Sequence, residues 1–284
     1  MANLYIIGAG TPAPRPDFFG SCCVLEIGSD LLMFDCGPAS TQKLARAGIV
    51  PTRIEHLFFT HHHSDHNADY PCFLLCRWDQ SIGAEPTLKV YGPPPLKTIT
   101  DRLIGPRGAF VFDWKARIGW WRSRLVHKDR GGSLPRPAPG VIVKEVRPGR
   151  RIARTGDWTV TTGRATHAQP WLKSVSYRVD AHGLSVVFTG DTDDRRAVAK
   201  IAAACDVLVV NMALVNSGDM RGKGLTSPVI KAQMARDAGA RMLIVTHIGP
   251  RLAAPEGRRE ATAQIRKIYK GRIVWAREGM KIKL

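Results

Sequence analysis

Four histidines and one aspartate lie within six consecutive positions of this sequence, beginning at His61. They follow a mostly apolar run, residues 54–59, which predicts a buried strand that ends where the histidines begin. Because the backbone changes direction at a strand end, the first histidines can point to one place while the later side chains point to a neighbouring one. Neutral imidazole and carboxylate are ligands that Zn²⁺ prefers. The stretch therefore predicts two adjacent metal sites, with His62 as a bystander, and a solvated polar loop is the alternative.

The order His-x-His-x-Asp-His at residues 61–66 resembles the metallo-β-lactamase superfamily of metal-dependent hydrolases. A Gly-x-Gly-Thr-Pro opening at residues 8–12 and Phe-Asp-Cys-Gly at residues 34–37 resemble, more narrowly, its ribonuclease Z and arylsulfatase-like branch. The resemblance implies an α/β fold, the four-layer αββα sandwich, and a homodimer. In that branch the aspartate at the position of Asp35 supports the histidine loop from beneath.

Three later strand ends carry more of the same side chains. His167 precedes a Gln-Pro loop, Asp191 follows a glycine turn, and His247 closes an apolar run. Carried over position by position, the resemblance implies His61, His63 and His167 for one metal, Asp65, His66 and His247 for the other, and Asp191 as the bridge. The cofactors implied are two divalent ions, with Zn²⁺ ahead of Mn²⁺ and Fe²⁺. Asp65 would also be catalytic, as the general base that orients a bound hydroxide.

Length and composition bound the rest of the molecule. The chain has 284 residues, 44% of them hydrophobic, and no long polar linker, so we expect one domain spanning residues 1–284. Strand and helix signals alternate along it, which indicates an α/β layer structure. No apolar run reaches the ~20 residues of a membrane span, and the start lacks a basic segment followed by an apolar one. We therefore expect a soluble, cytoplasmic protein with no membrane partner.

The net charge of +18 requires a partner hypothesis, because such a field attracts anionic substrates and nucleic acid. Residues 102–154 contain 14 Lys and Arg but only three acidic residues. This excess either borders an active-site mouth or is a solvated basic face. Between residues 105 and 140, aromatic residues lie among these basic residues. This segment could form a wall of the substrate pocket, a lid or a dimer contact, and all three interpretations stay open. Trp120 and Arg122 are the candidates for substrate binding in this segment, since aromatic and basic groups can bind an aromatic anion.

Departures from the branch narrow the activity. Ribonuclease Z enzymes carry a basic, glycine-rich arm between the positions of His167 and Asp191, but only 23 residues separate the two here. Where they present a His-Glu-Ala-Thr sequence, this chain has Asn211, which can hydrogen-bond to a substrate but cannot protonate a leaving group. A further histidine of the branch is replaced in Gly-Leu-Thr at residues 224–226. We therefore expect that the protein does not mature tRNA.

The leading functional interpretation is hydrolysis of a small anionic ester, a sulfate or phosphate ester, by a dinuclear centre with bound hydroxide. An RNA or cyclic-nucleotide phosphodiesterase of ribonuclease Z-like type is the second interpretation. A lactone or acyl hydrolase, or a metal-binding protein without catalysis, is the third. The partner expected is a small anionic substrate, with nucleic acid less favoured, because the ligand set alone does not determine the bond that is cleaved.

Overall fold

The computed structural model describes residues 2–213 and 227–284. Its strands, numbered along the chain, are β1 (Ala2–Ala9), β2 (Ser21–Ile27), β3 (Asp30–Phe34), β4 (Ile54–Phe58), β5 (Lys89–Gly92), β6 (Ile142–Glu145), β7 (Arg151–Arg154), β8 (Trp158–Arg164), β9 (Val175–Ala181), β10 (Leu184–Phe188), β11 (Val207–Met212), β12 (Met242–Ile248), β13 (Arg272–Trp275) and β14 (Met280–Lys283). The replaced histidine position at residues 224–226 lies outside the described residues.

The α-helices of the described residues connect these strands. They are α1 (Ser40–Arg46), α2 (Ser64–Asn67), α3 (Tyr70–Gln80), α4 (Leu96–Ile104), α5 (Val111–Gly119), α6 (Trp121–Asp129), α7 (Arg195–Ile201), α8 (Pro228–Asp237), α9 (Pro250–Ala253) and α10 (Pro255–Ile268). None of the helices in the described ranges combines the length and apolar character needed to span a bilayer.

Within the described residues the strands form two seven-stranded mixed sheets. The first has the order β14-β1-β2-β3-β4-β5-β6, and the second has the order β13-β12-β11-β10-β9-β8-β7. The first half of the chain thus builds one sheet and the second half builds the other. Strand β14 then returns to the first sheet, where it pairs antiparallel with β1. This exchange joins the two halves, and for that reason we keep the proposal of one domain spanning residues 1–284.

The two sheets pack face to face through a buried apolar layer. Phe34 of β3 and Phe188 of β10 stack with ring centroids 3.8 Å apart. Helices α1, α3 and α4 contribute buried side chains to a second apolar cluster with the other face of the first sheet. Helices α7, α8 and α10 bury Val198, Ala232 and Ile265 together with the second sheet. The α/β, four-layer αββα prediction is confirmed, because burial of both faces of each sheet requires two helical layers outside them.

The segment at residues 105–140, for which no elements were predicted, is partly helical. Helices α5 and α6 fill much of this segment, with Trp114 buried while Trp120 and Trp121 are 55% and 58% exposed. The short strand β7 was not predicted either. Two of its four residues are exposed arginines and Ile152 is only partly buried, so the strand shows no apolar alternation.

Candidate metal centre

Loops at the ends of several strands converge on one cluster of histidines and aspartates. His61 and His63 follow β4, and helix α2 immediately carries Asp65 and His66. The later part of the chain supplies His167 after β8, Asp191 after β10 and His247 within β12. All seven residues that the resemblance implied as ligands are therefore brought together. Their assignment to individual metal ions stays a proposal.

The first group consists of His61, His63 and His167. The Nε2 atom of His61 lies 3.0 Å from Nδ1 of His63, and Nε2 of His167 lies 3.1 Å from the same Nδ1 atom. Nitrogens bound at 2.0–2.1 Å to one tetrahedral Zn²⁺ are separated by roughly 3.3 Å. The three rings are therefore arranged closely enough to share one ion.

The second group consists of Asp65, His66 and His247. Oδ2 of Asp65 is 2.9 Å from Nε2 of His247 and 3.7 Å from Nε2 of His66. All three side chains are buried, which excludes bulk water from around their charges. Together they offer one carboxylate and two imidazoles within 4.8 Å of one another, a donor set that suits a second borderline cation.

Asp191 lies between the two groups. Its Oδ1 atom is 3.5 Å from Nε2 of His66, while Oδ2 is 3.3 Å from Nε2 of His247 and 3.9 Å from Nε2 of His167. Oδ2 thus faces one histidine of each group, while Oδ1 faces the other histidine of the second group. Gly190 allows Asp191 to approach the cluster. Its φ is +59°, and a Cβ at this position would come within 2.8 Å of Cβ of Thr60.

Asp35 supports the histidine loop, as the resemblance implied. Its Oδ1 accepts a hydrogen bond from the backbone N–H of Thr60 at 2.7 Å, and its Oδ2 is 2.8 Å from Nδ1 of His66. Asp35 and His247 both have positive φ values, 59° and 52°. Residues other than glycine rarely adopt this left-handed backbone conformation. Backbone strain of this kind is concentrated at functional sites.

Burial and neighbouring charges shift the pKa values of the clustered histidines in opposite directions. Burial lowers the pKa of His61 and His167, which keeps the neutral imidazole that carries a free lone pair. Burial alone would lower the pKa of His66, but Asp191 and Asp35 raise it on balance. Burial likewise opposes ionisation of Asp191, but His247 and His66 outweigh it, so its pKa lies well below the usual range. The buried cluster therefore holds concentrated charge that needs compensation.

Several buried polar atoms of the cluster have no hydrogen-bond partner within residues 2–213 and 227–284. They include Nε2 of His66, Oδ1 of Asp191 and Nδ1 of His247. Unsatisfied buried polar atoms are costly, at about 1–3 kcal/mol each, so a fold retains them where they have another use. His66 shows what this use is, because its other ring nitrogen is bound to a carboxylate, as in carboxylate–histidine–metal arrangements. The residues present therefore fit a pair of divalent cations.

A cavity of about 780 Å³ opens onto the cluster. Asp65, Asp191, His247 and Asn211 line it, so Asn211 faces the site as a substrate-binding residue should. Trp120 and Arg122 are not among the described side chains of this lining. They lie on the surface, where the Arg122 guanidinium carbon is 5.8 Å from the ring centroid of Trp120. Their role in substrate binding stays a prediction.

Two further residues were not singled out from the sequence. Lys231 of α8 is fully buried, donates to the backbone oxygen of Thr192 and pairs with Asp193 at 3.2 Å, and so fixes the loop that presents Asp191. A lysine inside an otherwise apolar helical face was the available signal. Trp171, in the loop after His167, is 87% exposed.

The bystander role of His62 agrees with its position. Its Nε2 atom lies 2.8 Å from the backbone oxygen of Pro93, away from the two groups.

Comparison with known proteins gives the same family at three levels. The model of the metallo-beta-lactamase superfamily matches residues 15–247. Ribonuclease Z of Mycolicibacterium gilvum is 31% identical over 261 residues, which cover 89% of this chain and 86% of that relative. YhfI from Bacillus subtilis, a metallo-beta-lactamase fold protein, superposes with a TM-score of 0.73 at 18% identity, covering 99% of this chain and 98% of YhfI. The short form of human tRNase Z gives 0.71 at 19% identity, covering 99% and 98%. The chain belongs to the metallo-beta-lactamase superfamily, in its ribonuclease Z-like branch.

Proposed function

We propose that this protein is a two-metal phosphodiesterase of the ribonuclease Z type. The observation that carries the proposal is Asp191, whose Oδ2 atom lies 3.3 Å from Nε2 of His247 in the second group and 3.9 Å from Nε2 of His167 in the first. Membership of the family makes the chain a hydrolase acting on ester bonds. The relatives named ribonuclease Z and tRNase Z favour phosphodiester hydrolysis, the second interpretation from the sequence, over sulfate-ester hydrolysis, the first.

The proposed ligand sets are His61, His63 and His167 for one ion and Asp65, His66 and His247 for the other, with Asp191 shared. When bound, two divalent cations would supply a nucleophilic water of lowered pKa and neutralise charge on the phosphoryl oxygens and the leaving group. Zn²⁺ is the ion we propose, since imidazole nitrogens make up most of the donor set. A homodimer is proposed as well.

The chain's own residues supply orientation. Asp65, held at 2.9 Å from His247, presents its carboxylate to the cavity and can accept a hydrogen bond from the attacking water. Asn211 is buried at the end of β11, and its Oδ1 atom has no hydrogen-bond partner among the described residues. Its amide can position a substrate oxygen by hydrogen bonding, but it carries no acidic proton for a leaving group.

A comparison of model esters tests the proposal. The metal-loaded protein should hydrolyse bis-nitrophenyl phosphate with a kcat/KM far above that for nitrophenyl sulfate. The Asp191→Asn variant should lose this activity while its circular dichroism spectrum is retained. Faster hydrolysis of the sulfate would reject the phosphodiesterase and restore the first interpretation.

Hydrolysis of small anionic aryl esters is a second candidate, favoured by two observations. Between His167 and Asp191 the chain forms only the hairpin of β9 and β10, whose turn lies between Ala181 and Leu184, so there is no arm to clamp a large RNA. Asn211 also cannot protonate a leaving group, so good leaving groups should react best. In this case log kcat should fall steeply as the leaving-group pKa rises, and Asn211→His should help poor leaving groups more than good ones. A flat dependence, with chemistry shown to be rate-limiting, would reject unassisted departure.

A further inference from the structure

A second cavity, of about 600 Å³, lies apart from the metal cluster. It is bounded by the loop before β2, by helix α1, by the start of α10 and by the turn between β13 and β14. The charged side chains that line it are Asp17, Lys43, Arg46, Arg258, Arg277 and Glu278. Its volume is in the range of ordinary small-molecule sites, and cations outnumber acids among these groups by four to two.

Only part of this positive charge is compensated. Nζ of Lys43 pairs with Oε1 of Glu278 at 2.8 Å and also donates to the backbone oxygen of Phe19. No ion pair with another residue in the described ranges is formed by Arg46, Arg258 or Arg277. Three guanidinium groups therefore border one cavity without a carboxylate of their own.

Arg258 is held in place rather than left free in solvent. Its guanidinium carbon lies 5.6 Å from the ring centroid of Trp275, and Nε1 of Trp275 donates to Oγ1 of Thr262 at 3.0 Å, which orients the ring. The Nε atom of Arg258 is buried and has no hydrogen-bond partner in the part of the chain that the structure describes. Burial and the nearby Arg277 both lower the pKa of Arg258, and Asp17 only partly opposes them. An anion in the cavity would relieve the repulsion between the two cations.

One short loop separates this second cavity from the cavity over the metal cluster. Pro12 lines the cavity over the metal cluster, while Pro16, Asp17 and Phe18 line the second cavity. The two cavities therefore lie on either side of residues 12–18.

We propose that this second cavity binds a phosphate group through Arg46, Arg258 and Arg277. Guanidinium groups match phosphate geometry with paired N–H donors, and the cavity is large enough for a nucleotide. The phosphate could belong to a free mononucleotide or to a polynucleotide whose chain passes the loop at residues 12–18. Both sources present the same chemistry to the three arginines.

Equilibrium binding tests the site without relying on turnover. We would titrate the protein calorimetrically with AMP and with an all-phosphorothioate DNA octamer, which resists hydrolysis. The Arg258→Gln/Arg277→Gln variant should bind at least one of these probes about tenfold more weakly, as loss of charged hydrogen bonds implies. Arg277→Gln alone, at an exposed position, should weaken binding about threefold even if the double variant folds poorly.

The matched control is Arg259→Gln/Arg272→Gln, which removes the same charge from exposed positions outside the cavity. This control should bind both probes as the parent does. Loss of AMP binding in the cavity variant assigns the site to a free nucleotide, and loss for the octamer alone assigns it to a polynucleotide. Equal losses in the two double variants, or no loss in either, would overturn the proposal. A protein that binds as expected but hydrolyses no phosphodiester would reject the proposed function and leave this site intact.

Discussion

Asp35 connects the metal loop to the first sheet through two kinds of contact. It accepts a hydrogen bond from the backbone N–H of Thr60 and another from the ring of His66, and it does so from a left-handed backbone conformation. A carboxylate behind a ligating histidine fixes the ring orientation and raises the ligand's basicity. Asp35 would therefore act on a bound metal ion through His66 rather than by direct contact.

Replacing Asp35 by asparagine should weaken metal binding. An amide keeps the size of the side chain but loses the charge that holds His66, and such losses reduce metal affinity by about 10–100-fold. Competition with a chromophoric chelator would measure the affinity, and circular dichroism would confirm that the variant is folded. An unchanged affinity would mean that Asp35 contributes only to folding.

His61 and His62 are adjacent and offer a matched pair of substitutions. The parent should bind about two metal ions per chain, since its seven clustered ligands exceed the needs of one tetrahedral site. His62→Ala should retain this stoichiometry, because His62 contacts the backbone oxygen of Pro93. His61→Ala should lower it to about one ion, since His61 lies in the first histidine group. Elemental analysis of protein purified without chelator would measure the difference, and equal stoichiometry in the two variants would contradict it.

The positions of the ligands along the chain were predictable from the sequence because they lie at or shortly after the ends of predicted strands. Their grouping was available only through the resemblance, since residues such as His63 and His167 are separated by 104 positions. The role of Lys231 was not predicted from the sequence. Its contact with the loop carrying Asp191 depends on where α8 packs, and helix packing follows from tertiary contacts that no local pattern contains.

At the level of elements, the contacts of the segment that includes α5 and α6 explain why its helices were not predicted from the sequence. Asp79 of α3 pairs with Arg117 at 3.2 Å, Arg130 at 3.3 Å and Arg136 at 3.5 Å. The Arg136 guanidinium also lies 3.9 Å from the ring centroid of Trp78. The segment is thus held to α3 partly by charge, so its helices need only a narrow apolar stripe and give a weak periodic signal.

Strand β4 carries His56 into the interior between the sheets. Burial, and then the nearby cation of Lys89, lower the pKa of His56 to about 4, while Asp30 opposes the shift and Lys144 adds to it. The His56 ring packs edge-on against Trp158 with centroids 4.8 Å apart. Protonation of this imidazole therefore opposes folding.

The stability of the protein should depend on pH through His56. An unfolded histidine titrates near 6.5, so the contribution of neutral His56 is complete above that pH and is lost as the pH falls toward 4. The loss is at most about 3 kcal/mol, since one pKa unit corresponds to 1.36 kcal/mol. Guanidinium unfolding at pH 7, 5 and 4 would measure it.

His56→Phe is the control for this dependence, because it keeps an aromatic ring but cannot be protonated. The variant should lose less stability between pH 7 and 4 than the parent. Titration of the metal centre affects both proteins alike and cancels in the difference. Identical slopes for the two would show that His56 is not the titrating group.

At the level of the whole molecule, the positive charge is not distributed into the cavity over the metal cluster. The chain has 42 Lys and Arg against 24 Asp and Glu. The cavity over the metal cluster nevertheless has Asp193 and Asp194 in its lining, in addition to the proposed ligands. No Lys or Arg of the described residues lines this cavity, and divalent ions would have to balance its carboxylates. Such a field favours substrates long enough to contact the surface and the site together.

This separation leads to a prediction about salt. If the proposed activity extends to single-stranded RNA, kcat/KM for RNA should fall steeply as salt rises, because cationic side chains that neutralise phosphates release counterions. Each neutralised phosphate of a single strand contributes a slope of about −0.7 in a plot of log affinity against log salt, so three contacts would give about −2. Bis-nitrophenyl phosphate carries one charge and cannot reach beyond the cavity, so its kcat/KM should change much less. Measuring both substrates between 50 and 200 mM salt, roughly the range over which such effects are large, separates the surface from the site. Parallel slopes would mean that the surface charge takes no part in substrate binding, and the reason for preferring a polynucleotide substrate would be lost.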